Sequence, residues 1–202
     1  MISNYFTFLH VARSINSRCT GMSIAEIYTQ DKRRLAISLS GPSLLTVFIS
    51  CVPSENALYL AEGTQRARQN AADLFPALIG KTLSGAVCDG TDRVVSLRCA
   101  DGSELRAEFF GVRANVIAYD ADGAPIDCFL GAGERLEAMP RALPLAPLPD
   151  RAETIVGTAQ SLIAAFRAGE KKTSLTALKS AVPKLGTTAA SELLLASHID
   201  PG

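Results

Sequence analysis

Two short segments place polar and charged side chains where an apolar strand begins. Gly90-Thr-Asp-Arg-Val-Val95 carries Asp92 beside Arg93, and Gly111-Val-Arg-Ala-Asn-Val-Ile-Ala-Tyr-Asp120 carries Arg113 and Asn115. A carboxylate accepts hydrogen bonds from a ribose hydroxyl or a base edge, and a guanidinium is a permanently charged fork matched to phosphate. Side by side on one sheet edge, such groups read a polar partner better than they build a core. Taken singly, each has a plainer explanation: an exposed Asp-Arg pair contributes under ~1 kcal/mol, and an Asn in a turn mimics backbone hydrogen bonding. Asp31-Lys-Arg-Arg34 is either a basic corner for phosphate or a solvated turn. Lys184, Gly186 and Thr187 fall where a second helix starts, so that free backbone amides and the helix dipole favour an anion; the alternative is a plain helical hairpin.

The elements that must position these groups follow from periodicity. Phe8, Val11, Ala12 and Ile15 recur at helical spacing behind Asn4 as N-cap, predicting an opening helix from Asn4 to Ser17. From Ser23 to Leu60 the period shortens to that of strands, and Asp31-Lys32, Gly41-Pro42 and Pro53-Ser54 divide the run into a four-stranded meander. Ala71, Leu74, Phe75, Leu78 and Ile79 return to helical spacing, predicting a helix over Ala67 to Leu83 that Pro76 kinks or starts. Strands resume at Gly85 to Cys88, Arg93 to Cys99, Leu105 to Phe110, Asn115 to Tyr119 and Ile126 to Leu130. Ala100-Asp-Gly-Ser103 and Asp120-Ala-Asp-Gly123 read as hairpin turns. Two helix-then-meander units predict two packed antiparallel sheets flanked by helices, an α+β domain over residues 1–138. Four prolines make residues 139–150 an extended linker. Residues 151–202 read as helical: a stripe of Ile155, Val156, Ala159, Leu162, Ile163 and Phe166, then Ser174 to Val182 and Thr187 to Ser197 joined by the tight turn Pro183-Lys-Leu-Gly186. The abrupt close at Asp200-Pro-Gly202 reads as a cut between domains.

Composition limits the possible functions. With 202 residues, 48% of them hydrophobic, the chain can bury a sizeable core. Its net charge of zero supplies no global field for nucleic acid, so RNA binding has to come from a local patch. Five cysteines without CxxC spacing read as reduced thiols. No apolar run approaches the roughly 20 residues that span a bilayer, and no basic region precedes an apolar stretch at the N-terminus. We therefore expect a cytoplasmic protein without membrane contact. His10 and His198 are the two histidines, far apart, so metal sites and His-based catalysis have few candidates and no cofactor is implied.

Four segments occur together in the order of a known family: Ile27-Tyr-Thr-Gln-Asp-Lys-Arg-Arg-Leu35, Gly90-Thr-Asp-Arg-Val94, Gly111 to Gly123, and Ser174 to Asp200. The chain resembles the NFACT family, bacterial ribosome quality-control factors long labelled fibronectin-binding protein A, as their N-terminal domain followed by a helix-hairpin-helix module. The resemblance implies a fold similar to the N-terminal domain of formamidopyrimidine-DNA glycosylases. It also implies non-enzymatic binding of tRNA and of large ribosomal subunits that still hold peptidyl-tRNA. The family's Asp-Arg pair, needed for its tRNA-dependent step, is matched by Asp92-Arg93; Asn4 stands where an acidic residue is common, Lys184 replaces the first of two hairpin glycines, and Gly80 stands where an Arg is usual.

Asp92, Arg93, Arg113, Asn115 and Asn4 are thus the expected RNA-binding residues, with Lys184, Gly186 and Thr187 as a phosphate-binding hairpin. Two other classes stay open. DNA processing of the glycosylase kind needs a proline nucleophile after the initiator Met, and Ile2 occupies that place, so DNA is not the expected partner. An adhesin-like module would show an exposed apolar face.

Overall fold

The computed structural model of the protein describes residues 5–64, 66–67, 69–90, 92–131, 136, 139–145, 160, 163–164, 167, 173–182 and 185–200. An opening helix, α1 (Tyr5–Cys19), leads into the meander β1 (Ser23–Asp31), β2 (Arg34–Ser40), β3 (Leu44–Ser50) and β4 (Ala57–Glu62), as the spacing predicts. A two-residue strand, β5 (Ala72–Asp73), completes a sheet ordered β4-β3-β2-β1-β5. The second sheet is ordered β10-β9-β8-β7-β6, from β6 (Leu83–Cys88), β7 (Val94–Cys99), β8 (Glu104–Glu108), β9 (Asn115–Tyr119) and β10 (Pro125–Cys128). Every pairing is antiparallel. Gly102 (φ 90°) and Gly123 (φ 76°) supply the left-handed residue in the two Asp-Gly hairpins.

Alternation sends one face of each sheet inward. Leu35, Ile37, Leu39, Val47, Ile49 and Leu58 from the first sheet, and Val95, Leu97, Leu105, Ala107 and Val116 from the second, form one core with Phe8 and Ile15 of α1. Each fully buried Leu, Ile or Phe contributes ~1.5–3 kcal/mol by leaving water. The sheets are sewn together where β1 and β6 start. Gly21 and Leu83 exchange bonds across this seam through Met22, with Gly21 N–H on the Leu83 carbonyl and Leu83 N–H on that of Met22, both at 2.8 Å. Ile24 N–H donates to Lys81 O (2.9 Å), and Gly80 N–H donates to Ile24 O (2.8 Å).

β6 is an edge strand, and α1 covers its edge. Asn16 Nδ2 donates to Ala86 O at 2.6 Å and Ala86 N–H donates to Asn16 Oδ1 at 2.7 Å, so one side-chain amide takes the place of a neighbouring strand. The preceding residue has to be Gly: a Cβ at Gly85 would sit 2.5 Å from Asn16 Oδ1.

Two expectations need correction. The helix over Ala67 to Leu83 does not form. Asn70, Phe75 and Gly80 have φ of 61°, 52° and 81°, which no right-handed helix contains, and Pro76 lacks the N–H and crowds the preceding turn. Leu74 N–H instead pairs with Ile27 O at 2.9 Å, and Phe75 and Leu78 enter the core around a short 3-10 turn, Pro76–Leu78. The second concerns the C-terminal part. Helices α2 (Ser174–Ala181) and α3 (Gly186–Ala196) are present, but the described residues do not form a clear helix-hairpin-helix module. Gly186 (φ 73°) opens α3, and the Thr187 hydroxyl already receives Lys179 Nζ at 2.8 Å. Lys184, Asn4 and most of the apolar stripe from Ile155 to Phe166 lie outside the described residues; Gln160, Ile163, Ala164 and Arg167 are helical. Residues 139–145 form neither helix nor strand, and Met139 and Ala142 pack on Ile117, Tyr119 and Cys128 of the second sheet.

Two predictions follow from this packing. Asn16→Ala costs about 1–3 kcal/mol and Gly85→Ala about as much. In chemical denaturation the double variant loses at least about 0.5 kcal/mol less than the sum, because removing the Asn16 amide removes the clash. The β7–β8 turn gives a pH test. Lys81 Nζ lies 2.7 Å from Asp101 Oδ2, and Ser103 donates its hydroxyl to Oδ1 at 2.6 Å. Lys81 first and Ser103 second hold the Asp101 carboxyl down to about 2. Its folded value lies below the unfolded one of ~3.9, so its stabilisation is complete above roughly pH 4 and is lost as pH falls through about 2. NMR titration should find that low midpoint, and Lys81→Ala should move it up toward the ordinary carboxylate value.

Candidate nucleic-acid interface

Antiparallel order brings two loops to one end of the second sheet. β6 leaves and β7 enters through residues 89–93, while β8 leaves and β9 enters through 109–114. Val94, Glu108 and Asn115 are register partners in the row just behind them. The sheet therefore brings Asp92, Arg93, Arg113 and Asn115 to the same end, as expected from the sequence.

The first loop is built by its own carboxylates. Asp89, nearly buried, accepts Asp92 N–H on Oδ1 at 2.9 Å, and its own N–H donates to Val94 O at 2.8 Å. Asp92 then accepts Arg93 N–H on Oδ1 at 2.7 Å. The Arg93 carbonyl receives Phe109 N–H at 3.0 Å, tying the two loops together. Below them the Phe8 ring of α1 stacks on Phe109 with centroids 4.2 Å apart, which fixes the helix against this end of the sheet.

Asp92 and Arg93 do not form the ion pair that adjacency suggests: the carboxylate turns to the backbone and the guanidinium is left over. Among the described residues, Arg18, Arg34, Arg66, Lys81, Arg98 and Arg106 all have a carboxylate partner. Arg13, Lys32, Arg33, Arg93, Arg113, Arg141, Arg167 and Lys179 have none among the described residues, and of these Arg93 and Arg113 lie on the two loops. Arg93 is half-buried; Arg113 is exposed on a turn whose first residue, Gly111, has φ 65°. Beside it Val112 is 75% exposed.

Asn115 has a different employment from the one expected. Its Nδ2 donates to Leu130 O (3.0 Å), and its Oδ1 receives the N–H groups of Leu130 and Val116, both at 2.9 Å. These bonds extend the pairing between β9 and the chain leaving β10, so the amide supports this surface. Gly186 and Thr187 lie on α3 and take no part in these bonds.

Sequence reasoning missed two residues here. Asp89 starts the first loop, and the Asp-Gly step that follows was the available signal. Glu108 is half-buried one row behind; burial first, and Asp92 next, push its carboxyl up, while Arg106 pulls it down. Its only advance sign was its place in the alternation of β8. Among the described residues no three His, Cys, Asp or Glu side chains gather as metal ligands, and no described helix is long and apolar enough to cross a membrane.

No family model and no curated protein matches the sequence. Solved structures do match the fold. The N-terminal domain of the fibronectin-binding protein PavA from Streptococcus pneumoniae superposes with a TM-score of 0.71 at 17% identity, over 96% of this chain and 84% of that one. The N-terminal part of the fibronectin/fibrinogen-binding protein from Streptococcus suis gives 0.70 at 16% identity, over 98% and 80%. The fibrinogen-binding protein from Staphylococcus aureus gives 0.59 at 14% identity, over 100% and 84%. The fold is therefore that of these N-terminal domains, in agreement with the architecture the family resemblance implies.

The electrostatics of the two loops can be checked directly. Because Asp92 raises the Glu108 pKa, Asp92→Asn should lower it; an NMR titration in which Glu108 does not move would show that the two carboxyl groups are not coupled.

Proposed function

We propose that this chain is a non-catalytic, cytoplasmic recognition module for tRNA and for the large ribosomal subunit holding peptidyl-tRNA, acting in ribosome-associated quality control. The observation that carries the reading is the pair of arginines without carboxylate partners, Arg93 and Arg113, on adjacent loops at one sheet end. A guanidinium not already matched to a carboxylate offers its fork to phosphate without first breaking a bond. With a net charge of zero, attraction to a polyanion has to arise locally, and these two guanidinium groups are its source at this sheet end. Asp92, exposed beside them, supplies an acceptor for a ribose hydroxyl or base N–H. Asn115 holds the second loop in place. Asn4 precedes α1, whose first turns pack against this end, and Lys184, Gly186 and Thr187 provide a second phosphate contact at the start of α3. Chemistry on the peptide would belong to the ribosome.

The names of the three fold neighbours favour a second reading, binding of an extracellular-matrix or plasma protein, for which the exposed Val112 beside Arg113 would be the apolar contact.

tRNA binding across a salt series separates the two. Wild-type protein should bind with log K falling linearly against log salt, as counterions leave the phosphates. Arg93→Ala and Arg113→Ala should each reduce that slope by about 1, and Asp92→Ala/Arg93→Ala should abolish measurable binding while the circular-dichroism spectrum is unchanged. Wild-type protein that ignores tRNA at low salt yet binds immobilised fibronectin or fibrinogen through Val112 would replace the first reading with the second.

A further inference from the structure

The outer face of the first sheet carries an arrangement unconnected with Asp92 and Arg93. Register sets Tyr28, Ala36, Phe48 and Tyr59 in one row across β1 to β4, on the side away from the core. The Phe48 and Tyr59 rings stack with centroids 5.0 Å apart and planes at 16°, and Tyr59 is 37% exposed. At the other end of the row Tyr28 is covered: the Arg66 guanidinium lies 5.1 Å from its ring centroid and Thr64 meets its hydroxyl at 3.3 Å. Ala36, with only a methyl group, leaves a hollow of about 220 Å³ between Tyr28 and Phe48. A neighbouring hollow of about 350 Å³ runs along Phe48 and Tyr59 to Ser50, Glu55 and Ala57. The larger falls within the size of sites that take one small ring system.

Arg34 borders both hollows. Glu55 grips it from one side (Nη2 to Oε1 2.6 Å, Nε to Oε2 3.3 Å) and Asp31 from the other (Nη1 to Oδ2 3.0 Å). Ser50 donates to Glu55 Oε2 at 2.8 Å and steadies that carboxylate. The guanidinium plane is thus fixed with three of its five N–H donors engaged, leaving two for a ligand. Arg34 absorbs both nearby carboxylates. Lys32 and Arg33, in the same β1–β2 turn, have no carboxylate partner among the described residues; Arg33 reaches only the Cys51 carbonyl, at 3.4 Å.

A half-exposed aromatic face, in-plane donors on a fixed guanidinium, and uncompensated positive charge at the near turn together complement a nucleotide: a flat π-face, an edge carrying acceptors, and a phosphate. A purely apolar partner would leave the Arg34 donors and the Lys32-Arg33 charge without use, and a duplex would hide the base faces. We propose that the outer face of the first sheet binds single-stranded RNA, with one base stacked on Tyr59, its edge toward Arg34 and its phosphate toward the Lys32-Arg33 turn. This surface stands independently of the tRNA reading of Asp92 and Arg93.

The test uses fluorescein-labelled hexa-adenylate and hexa-uridylate, with anisotropy at low salt and through a salt series. Wild-type protein should bind both, since stacking tolerates sequence. Tyr59→Ala should weaken binding about 5- to 100-fold, Tyr59→Phe should stay within about twofold of wild type because the ring face is kept, and Lys32→Glu should weaken binding and flatten the salt dependence. Measured in the Asp92→Ala/Arg93→Ala background, Tyr59→Ala should weaken hexamer binding by the same factor as in wild type, which separates failure here from failure of the tRNA reading. No hexamer binding by folded wild-type protein, equal loss in Tyr59→Phe and Tyr59→Ala, or free AMP binding as tightly as the hexamer would each overturn the proposal, the last in favour of a mononucleotide site.

Discussion

The structure depends first on the seam between its two sheets. Each sheet alone is a meander with one apolar face, and neither face can be satisfied until the other lies over it. The chain arranges this by running residues 80–83 antiparallel to residues 21–24, with backbone bonds at 2.8–2.9 Å on both sides. The start of β1 and the start of β6 become neighbours, bridged at Ser23 and Thr82. Ala100 N–H then donates to Thr82 O at 2.8 Å, so the first hairpin of the second sheet is tied to the same point. These bonds contribute ~1 kcal/mol each. Their larger effect is positional, because they set the two inner faces opposite one another and let dozens of apolar side chains leave water together.

Two asparagines stand in for backbone where strand pairing stops. Asn16 presents its amide to Ala86 on the outer edge of β6, and Asn115 bonds Leu130 past the end of β10, prolonging the β9–β10 pairing. In both, a primary amide offers one donor and one acceptor at the spacing of a peptide group, which is why Asn serves here and a carboxylate would not. Functional consequences follow. Asn16 fixes α1 lengthwise against β6, so that Phe8 meets Phe109 under the two loops. Asn115 fixes the start of β9, which sets where the Gly111–Arg113 turn projects. At this sheet end the guanidinium groups left over from this work are Arg93 and Arg113.

Much of this was legible in the chain. Period-two alternation broken by Asp-Lys, Gly-Pro and Asp-Gly steps gives the meanders, because those patterns report on the strand's own backbone and on one buried face. The helix expected over Ala67 to Leu83 shows where such reading stops. Leu74, Phe75 and Leu78 have helical spacing, yet Phe75 reaches the core from a left-handed backbone ahead of Pro76, a conformation chosen by the cavity it fills. The asparagine clamps were illegible for another reason: Asn16 bonds a residue 70 positions away, and no local signal marks that. For the candidate interface, residue types and turns indicated which groups come together; they did not indicate which groups are already bonded. Asn115 and Arg113 look equally available in sequence, and Asn115 already makes three hydrogen bonds.

The partner state of the arginines is the physical argument for a recognition surface. An exposed ion pair is worth little to stability, about 0–1 kcal/mol, so folding gains almost nothing from matching Arg18 with Glu62 or Arg34 with Asp31 and Glu55. Pairing does change what an outside partner meets. A matched guanidinium presents a neutral fork, and displacing its carboxylate costs back most of what a phosphate would supply. With the chain's charges summing to zero, a guanidinium without a carboxylate partner is where an incoming phosphate meets the least competition. Asp92 is the decisive case, since it stands next to Arg93 in sequence and is the carboxylate best placed to occupy its donors. Its carboxylate is instead taken by the Arg93 N–H within the turn that Asp89 starts. The loop keeps an exposed carboxylate and a half-buried guanidinium side by side without an ion pair between them.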